Sequence, residues 1–395
     1  MQIHPRLVAK LSASRQTLFP VIIYSKKTIY EIRDYIADSY GPIKYELPFI
    51  NAVSVELSAD KIDTLSKNQS IRLISDDPLV SKIGEKNTKP LLNRPDIPLK
   101  TNYDKHRLSK HEILSDKRHG QNVGIAIIDT GVAPHYDLVY PQNRIIAFKD
   151  FIEHQSVPYD DDGHGTHVAG IAAGNGFVSE RFAGTAPAAD IISIKALNGD
   201  GNGTTSDILA AMQWVINNRR LYGIRVINLS LGVPTDPSYE EDPLIKGANA
   251  AVHHGITVVA AAGNNGPDRC TINSPATSPY VITVGAADFA SSPSVAPFSS
   301  RGPTPSGVVK PDLLAPGVDI VSLDATNPKG YVIQSGTSMA APVVSGAAAC
   351  LYALYPKLTP MEVKRILMRN TLPLQRTSSN AQGRGILNYE VFFDL

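Results

Sequence analysis

A serine at position 338 stands where a hydroxyl could do covalent chemistry. Residues 336–342 read Gly-Thr-Ser-Met-Ala-Ala-Pro and lead into a run of small residues, which predicts a buried helix with Ser338 in its first turn. The positive end of a helix dipole favours the negative charge that develops when a serine oxygen attacks a carbonyl. The alternative is a serine that only caps the helix. Groups upstream in the chain bear on the choice.

Two upstream motifs supply the groups that a serine nucleophile needs. Asp129 follows the apolar run at 124–128, and His164 lies between two glycines at the predicted start of a helix, after aspartates at 160–162. A hydroxyl is a poor nucleophile until a base takes its proton, and a carboxylate must fix the tautomer of that base. The chain order Asp129, His164, Ser338 is one known order of such a triad.

Two of these residues also have simpler interpretations. Asp129 could be a turn carboxylate, and His164 with His167 could be two metal ligands on one helical turn. The spacing of the nearby acidic residues matches no ligand set, so no metal site is predicted. His167 is interpreted as a packing histidine.

An asparagine completes the candidate chemistry. Asn264 lies in the run Ala-Gly-Asn-Asn-Gly-Pro at 262–267, directly after the apolar run at 257–261. Its amide and the backbone N–H of Ser338 are two donors that could stabilise an oxyanion. An Asn-Gly turn is the alternative, and that turn fits Asn265 better than Asn264.

Together the four motifs resemble those of the subtilisin-like serine proteases (subtilases). Glu241-Asp242-Pro243-Leu244 and the run Phe-Ser-Ser-Arg-Gly-Pro at 298–303 are most similar to the AprX-like group of that family. The resemblance covers about residues 120–370. It implies an endopeptidase with Ser338 as nucleophile, His164 as base, Asp129 as its orienting partner and Asn264 as oxyanion donor. A catalytically silent peptide-binding relative is the alternative, and the intact set of four argues against it.

The resemblance also implies where a substrate peptide binds. Two edge strands would hold it by main-chain hydrogen bonds, which select extended shape. One comprises Ser230, Leu231 and Gly232, and the other Gly201, Asn202 and Gly203. Asn265 and Asn273 would line the first specificity pocket, which a cis peptide at Ser274-Pro275 would shape, and Ala262 and Gly263 would also bind substrate. The neutral side chains of this pocket predict a broad preference with an apolar or aromatic leaning.

Alternating strands and helices indicate the fold of this unit, assigned to residues 121–395. Apolar runs at 124–128, 191–194, 226–229, 257–261 and 281–284 predict buried strands, and helical patterns lie between several of them. Such alternation is typical of an α/β fold with a doubly wound parallel sheet covered on both faces.

The first 83 residues predict a separate α+β domain. Its order β-α-β-β-α-β is that of a split βαβ, or ferredoxin-like, sandwich. It resembles the subtilase propeptide, which is both inhibitor and folding chaperone; the alternative is a regulatory domain that stays attached. Asp76 and Asp77 would then meet the N-termini of two enzyme helices, and residues 79–83 would lie in the cleft like a product. Residues 84–120 are predicted to be a processing linker, with self-cleavage between Ile83 and Pro90.

Composition limits the remaining partners. A formal net charge of +1, with 43% hydrophobic and 19% charged residues, favours a soluble chain and gives no basis for binding nucleic acid or an anionic membrane. No apolar run in the sequence suggests a membrane span. With two cysteines and no secretory signal in residues 1–6, the expected location is cytoplasmic, with non-standard export as the alternative.

No cofactor is expected for the chemistry. The loop at 174–181 lacks the asparagine-rich calcium loop of secreted subtilisins, so that site is not expected. Structural calcium elsewhere stays open, because oxygen ligands on scattered loops leave little trace in a sequence.

Overall fold

The first strands of the chain form a four-stranded antiparallel sheet. A computed structural model describes residues 3–13, 17–84, 89–90, 117–235 and 242–388. The sheet has the order β2-β3-β1-β4, which is the predicted split arrangement. Its strands are β1 (Phe19–Ser25), β2 (Ile43–Leu47), β3 (Ala52–Leu57) and β4 (Ile71–Asp76), and its helices are α1 (Pro5–Ala13), α2 (Tyr30–Tyr40) and α3 (Ala59–Leu65). Alternate residues of the strands and the inner faces of the helices enclose a separate apolar core.

The chain then passes directly into the second domain. Strand β5 (Leu79–Lys82) pairs with two strands of that domain, and β6 (Lys89–Pro90) pairs with a third. The predicted linker at 84–120 falls mostly on residues outside the described ranges.

A large sheet organises the second domain, and the predicted doubly wound parallel fold is confirmed. Within the described ranges it has ten strands in the order β20-β21-β17-β15-β13-β11-β7-β9-β8, with β16 beside β15. Every neighbouring pair from β21 to β8 is parallel. These strands are β7 (Gly124–Asp129), β8 (Ile145–Asp150), β9 (Asp190–Lys195), β11 (Ile224–Leu229), β13 (Thr257–Ala261), β15 (Ile282–Asp288), β16 (Ser294–Val295), β17 (Leu313–Pro316), β20 (Thr371–Leu372) and β21 (Ile386–Leu387).

Shorter strands and the helices complete the domain. The strands are β10 (Asn202–Thr204), β12 (Leu231–Pro234), β14 (Asn273–Ser274), β18 (Ile320–Leu323) and β19 (Tyr331–Gln334). The helices are α4 (Tyr136–Val139), α5 (His164–Ala173), α6 (Thr205–Asn218), α7 (Pro243–His253), α8 (Thr337–Leu354), α9 (Pro360–Arg369) and α10 (Ser379–Gln382). In the described part of the chain, 3-10 turns lie at Pro48–Ile50, Lys117–His119 and Glu180–Phe182.

Both faces of the large sheet are buried because successive side chains of each strand point to opposite sides. On β7, Ile125 and Ile127 join the core beneath α5 and α8. Ala126 and Ile128 join the opposite core, beneath α6 and α7. The continuous apolar run of this strand therefore feeds two cores.

Helix α8 runs through the first core. It is long and apolar enough to cross a membrane by length and composition alone, which the sequence analysis did not anticipate. Because 89% of it is buried inside the protein, it is the central packing element of the domain. Its first turn carries Ser338, as expected.

The N-terminal domain docks on helices α6 and α7 through the open face of its sheet. Ile22 and Tyr24 pack with Leu209 of α6. The Tyr45 hydroxyl donates to Asp207 Oδ1 at 2.9 Å. These contacts hold the sheet against α6, and β5 follows the edge strand β4 after only Asp77 and Pro78.

Candidate active site

The first pair of the site lies at the carboxyl end of β7. Asp129 Oδ1 lies 2.7 Å from His164 Nδ1, and both side chains are buried. Burial opposes the charged imidazole, but the charge of Asp129 and its hydrogen bond outweigh burial, so the pKa of His164 is raised. The carboxylate therefore fixes the tautomer that leaves Nε2 to act, and Nε2 has no hydrogen-bond partner among the described residues.

Two aspartates of the acidic run, Asp160 and Asp162, hold the start of helix α5. Asp160 accepts bonds from Gly163 N, Thr166 N and two side-chain hydroxyls, which ties down the first turn. Asp162 Oδ1 accepts the backbone N–H of His164 at 3.1 Å. The acidic run thus positions the imidazole, a role that the sequence analysis did not assign.

The second histidine of this helix is a packing residue. His167 Nε2 lies 3.1 Å from the carbonyl of Ile320 and 3.2 Å from that of Val332. Complete burial lowers its pKa to about 3 and keeps it neutral. No group of three or more His, Cys, Asp or Glu in the described part of the chain is placed to hold a metal ion.

Ser338 is tied to strand edge residue Ser230 by two reciprocal bonds. Ser338 Oγ donates to the Ser230 carbonyl at 3.0 Å, and Ser230 Oγ donates to the Ser338 carbonyl at 3.0 Å. The second bond has a cause in the sequence: Pro342 lies four residues on and has no N–H to give to that carbonyl. Ser230 replaces the missing helical bond.

Asn264 is held by two hydrogen bonds from Thr337, the residue directly before Ser338. Its Oδ1 accepts the backbone N–H and the hydroxyl of Thr337, at 3.0 and 2.9 Å. Its Nδ2 and the Ile83 carbonyl oxygen lie close to the same glycine. Both groups border Gly336, because a Cβ on that glycine would lie 3.1 Å from Nδ2 and 3.3 Å from the Ile83 oxygen. Gly336 also has φ +154°.

The segment from Leu79 to Ile83 lies between the two expected edge strands. Strand β5 pairs antiparallel with β10, where Asn202 lies opposite Ser81, and with β12, where Leu231 lies opposite Lys82. The Ile83 N–H donates to the Ser230 carbonyl at 3.0 Å. That same oxygen accepts from Ser338, so the segment ends beside the hydroxyl.

Ile83 fills a pocket made by the residues named for it. A Cβ on Gly232 would lie 3.2 Å from Ile83 Cδ1 and 3.3 Å from Asn273 Cβ, so the three surround one space. Asn273 is fixed by its N–H to the Ala262 carbonyl and by Asn265 Nδ2, each at 2.9 Å. Two further features border this wall: Gly263 packs against Asn273, and the peptide between Ser274 and Pro275 is cis, as the resemblance implied.

The next residue, Gly84, lies against the imidazole. A Cβ on Gly84 would be 3.2 Å from His164 Cδ2 and 3.3 Å from Nε2. The peptide bond between Ile83 and Gly84 therefore lies between His164 on one side and Asn264 on the other. No sequence signal had selected this bond within the range 83–90.

One of the two aspartates expected at helix N-termini is placed differently. Asp77 Oδ1 accepts the N–H of Ser206, in the first turn of α6, at 2.8 Å. Asp76 instead lies 2.7 Å from Lys10 Nζ and 3.2 Å from Arg6 Nε, both on α1 of its own domain. The difference arises because α1 supplies two cations, and that helix was missed in the sequence.

Protein groups fix the loop at 174–181. The buried carboxylate of Asp137 accepts the N–H of Val178 at 2.7 Å and the hydroxyl of Tyr331 at 2.8 Å. Asn175 Oδ1 accepts the N–H of Phe177 at 3.0 Å within the loop. Both oxygens of Asp137 are thus used by the protein itself.

Comparison with known proteins gives a consistent result. Residues 120–385 match the sequence model of the subtilase family. Serine protease AprX of Bacillus subtilis (strain 168) is 42% identical over 294 residues, which are 69% of this chain and 66% of AprX. Subtilisin E of the same strain is 32% identical over 363 residues, which are 91% of this chain and 84% of that protein. The latter alignment therefore extends into the N-terminal domain.

A solved structure agrees over nearly the whole chain. The crystal structure of fervidolysin from Fervidobacterium pennivorans, described as a keratinolytic enzyme related to subtilisin, has a TM-score of 0.75 at 25% identity. The match covers 96% of this chain and 61% of fervidolysin. The chain thus spans just under two thirds of the length of AprX and of fervidolysin.

These relatives correct one expectation. The prediction of a cytoplasmic location is wrong, because the subtilisin relatives are secreted extracellular proteases.

Proposed function

The chain is a member of the subtilase family of serine proteases, and we propose that it is a serine endopeptidase which is made as a self-processing zymogen. In this proposal Ser338 is the nucleophile, His164 the general base and Asp129 the residue that orients the base. One observation carries the proposal: a peptide bond of the chain itself lies between the imidazole of His164 and the amide of Asn264.

The proposed reaction follows from the hydrogen bonds. Ser338 Oγ moves from the Ser230 carbonyl to His164 Nε2, gives up its proton and attacks the carbonyl carbon of the bound peptide. Asn264 Nδ2 and the Ser338 N–H bind the oxyanion, since a residue in the first turn of a helix has an N–H without an intrahelical partner. His164 then protonates the leaving amine, and water attacks the resulting acyl-enzyme by the reverse path.

The N-terminal domain is the first substrate and then the inhibitor in this proposal. Its segment at 79–83 is bound by main-chain pairing on both sides, and its docking on α6 holds that segment in place. The cleaved bond is the one between Ile83 and Gly84, within the predicted range of 83–90. The alignment of subtilisin E into this domain supports the same assignment.

The test compares the full chain with its Ser338→Ala variant. The wild type is expected to lose its first 83 residues and to be labelled by a fluorophosphonate, and the new N-terminus is expected to begin at Gly84. The variant is expected to keep full length and to stay unlabelled. A wild-type protein that is active at full length would contradict the zymogen, and one that takes no label would contradict the nucleophile.

A further inference from the structure

An ion pair joins the bound N-terminal segment to the aspartate run before His164. Lys82 Nζ forms a salt bridge with Asp162 Oδ2. The side chain of Asp162 is 8% exposed and that of Lys82 is 24% exposed. This contact lies beside the candidate active site, and the proposed mechanism does not use it.

The position of Lys82 is that of a substrate residue. Its backbone N–H donates to the Gly201 carbonyl at 2.9 Å, and it lies opposite Leu231 in the strand pairing. It is the residue immediately before Ile83, whose carbonyl lies beside Asn264. Any extended peptide that replaces the segment must place its own side chain at this point, because the main-chain pairing fixes the register.

Asp162 is the aspartate of the run that remains available to a substrate. Asp160 is buried and accepts bonds from the protein, as described above. Asp161 Oδ1 lies 2.5 Å from Nζ of buried Lys195, so its charge is already paired. Asp162 uses one oxygen for the His164 N–H and presents the other to Lys82.

The remaining wall of this subsite suits a long basic side chain. Gly201 packs against the aliphatic stem of Lys82, since a Cβ on Gly201 would lie 2.6 to 2.8 Å from three carbons of that stem. An apolar surface for the methylenes and a carboxylate at the end match the two parts of a lysine or arginine side chain. A glutamate at this position would bring two carboxylates together.

We propose that Asp162 selects a basic residue at the second position before the cleaved bond, so that preferred substrates carry Lys or Arg followed by an apolar residue. This inference rests on the proposed function and names the substrate class of the same site. It adds a charge requirement to a first pocket that is neutral.

The test uses the active protein obtained from the full chain. Four internally quenched peptides carry Leu-Val-Ser-Xaa-Ile-Gly, with Xaa as Lys, Arg, Ala or Glu. We expect kcat/KM to be about tenfold higher for Lys or Arg than for Ala, and lower still for Glu, with the ratio falling as salt is raised. Equal cleavage of the Lys and Ala peptides would overturn the inference.

Variants assign the effect to one carboxylate. In Asp162→Asn the amide oxygen can still accept the His164 N–H, so we expect the Lys-to-Ala ratio to fall to about one while both peptides are cleaved. Glu153→Gln removes a charge from the same loop on its exposed side and is expected to keep the ratio. An unchanged ratio in Asp162→Asn would also overturn the inference.

A second measurement needs no change at Asp162. In the full chain, Lys82→Arg is expected to process at the wild-type rate and Lys82→Glu about tenfold more slowly or worse, since the glutamate meets Asp162. Equal processing of the two variants would contradict the inference. If the wild-type protein neither cleaves itself nor is labelled by a fluorophosphonate, the proposed function is refuted instead.

Discussion

The two sides of the candidate active site hold their groups by different means. On the His164 side, carboxylates hold the groups in place: Asp129 fixes the ring, and Asp160 and Asp162 fix the backbone beneath it. On the Ser338 side the groups are neutral, and Asn264 lies beside Gly336, where a Cβ would come within 3.1 Å of its Nδ2. The His164 side therefore depends on the charges of its carboxylates, whereas the Ser338 side depends on the space around Asn264.

The largest expected effect breaks the charged side. In Asp129→Asn the amide can donate to His164 Nδ1 and so leave the proton on Nε2, which is the wrong tautomer for a base. We expect kcat to fall by about 10⁴-fold, the loss known for this change in another Ser–His–Asp protease. Peptide hydrolysis measures it, and an unchanged melting temperature controls for folding. A loss below about 100-fold would contradict the role of the carboxylate.

The next change breaks the neutral side. Asn264→Ala removes one oxyanion donor, and we expect kcat to fall by about 10²- to 10³-fold with little change in KM, as the corresponding change does in subtilisin. The pH profile is expected to stay in place, because no charge is altered. A shift of the acid limb in this variant would show that the two sides are not separate in their functions.

A third substitution adds only a methyl group and tests whether the Ser338 side depends on free space. Gly336→Ala puts a methyl group against Asn264 Nδ2 and against the place where the Ile83 carbonyl oxygen lies, so we expect kcat/KM to fall about tenfold or more. Gly255→Ala is the matched control, since Gly255 also has a positive φ, +85°, but nothing lies within 4 Å of its Cβ position. The control is expected to lose stability and keep kcat/KM. Equal losses of kcat/KM in both variants would mean that backbone strain, not crowding, is responsible.

The smallest effect is a shift of pH dependence. Burial and the charge of Lys82 lower the pKa of His164, but Asp129 and, to a smaller extent, Asp162 raise it, and the net shift is upward. The base must be neutral, so activity is lost as the pH falls through this pKa. Asp162→Asn removes one raising charge, and we expect the acid limb of kcat/KM on the Ala peptide to move to lower pH. A move to higher pH would contradict the sign of this interaction.

Much of the fold followed from local patterns in the sequence. The apolar runs at 124–128 and 257–261 were confirmed as strands, because a strand buried on both faces needs an unbroken apolar sequence. Helix α1 was missed because its nine residues carry only a short apolar pair, Leu7 and Leu11, on the face that packs on the core. Its docking depends on Asp76, far along the chain, and no window of sequence shows that contact.

The candidate site likewise contains residues that short motifs predict and contacts that only the fold creates. Asp129, His164, Asn264 and Ser338 each lie in a short motif, so they could be named before any coordinates. Asp162 also lies in such a motif, but its partner is Lys82, eighty residues earlier, and only the folded chain brings them together. Similarly, Ser230 was named for its strand, whereas its bond to the Ser338 carbonyl follows from a missing N–H at Pro342.

Through that bond, Pro342 helps to set the alignment of helix α8 with the neighbouring strand β12. Strand β12, which would receive the peptide, and helix α8, which carries the Ser338 hydroxyl, are joined through Ser230, so a shift of one would displace the other. A designer who lengthens the loops around β12 or regularises helix α8 by replacing its proline would loosen this connection. The cost would show as poor alignment between peptide and hydroxyl even where the fold is intact.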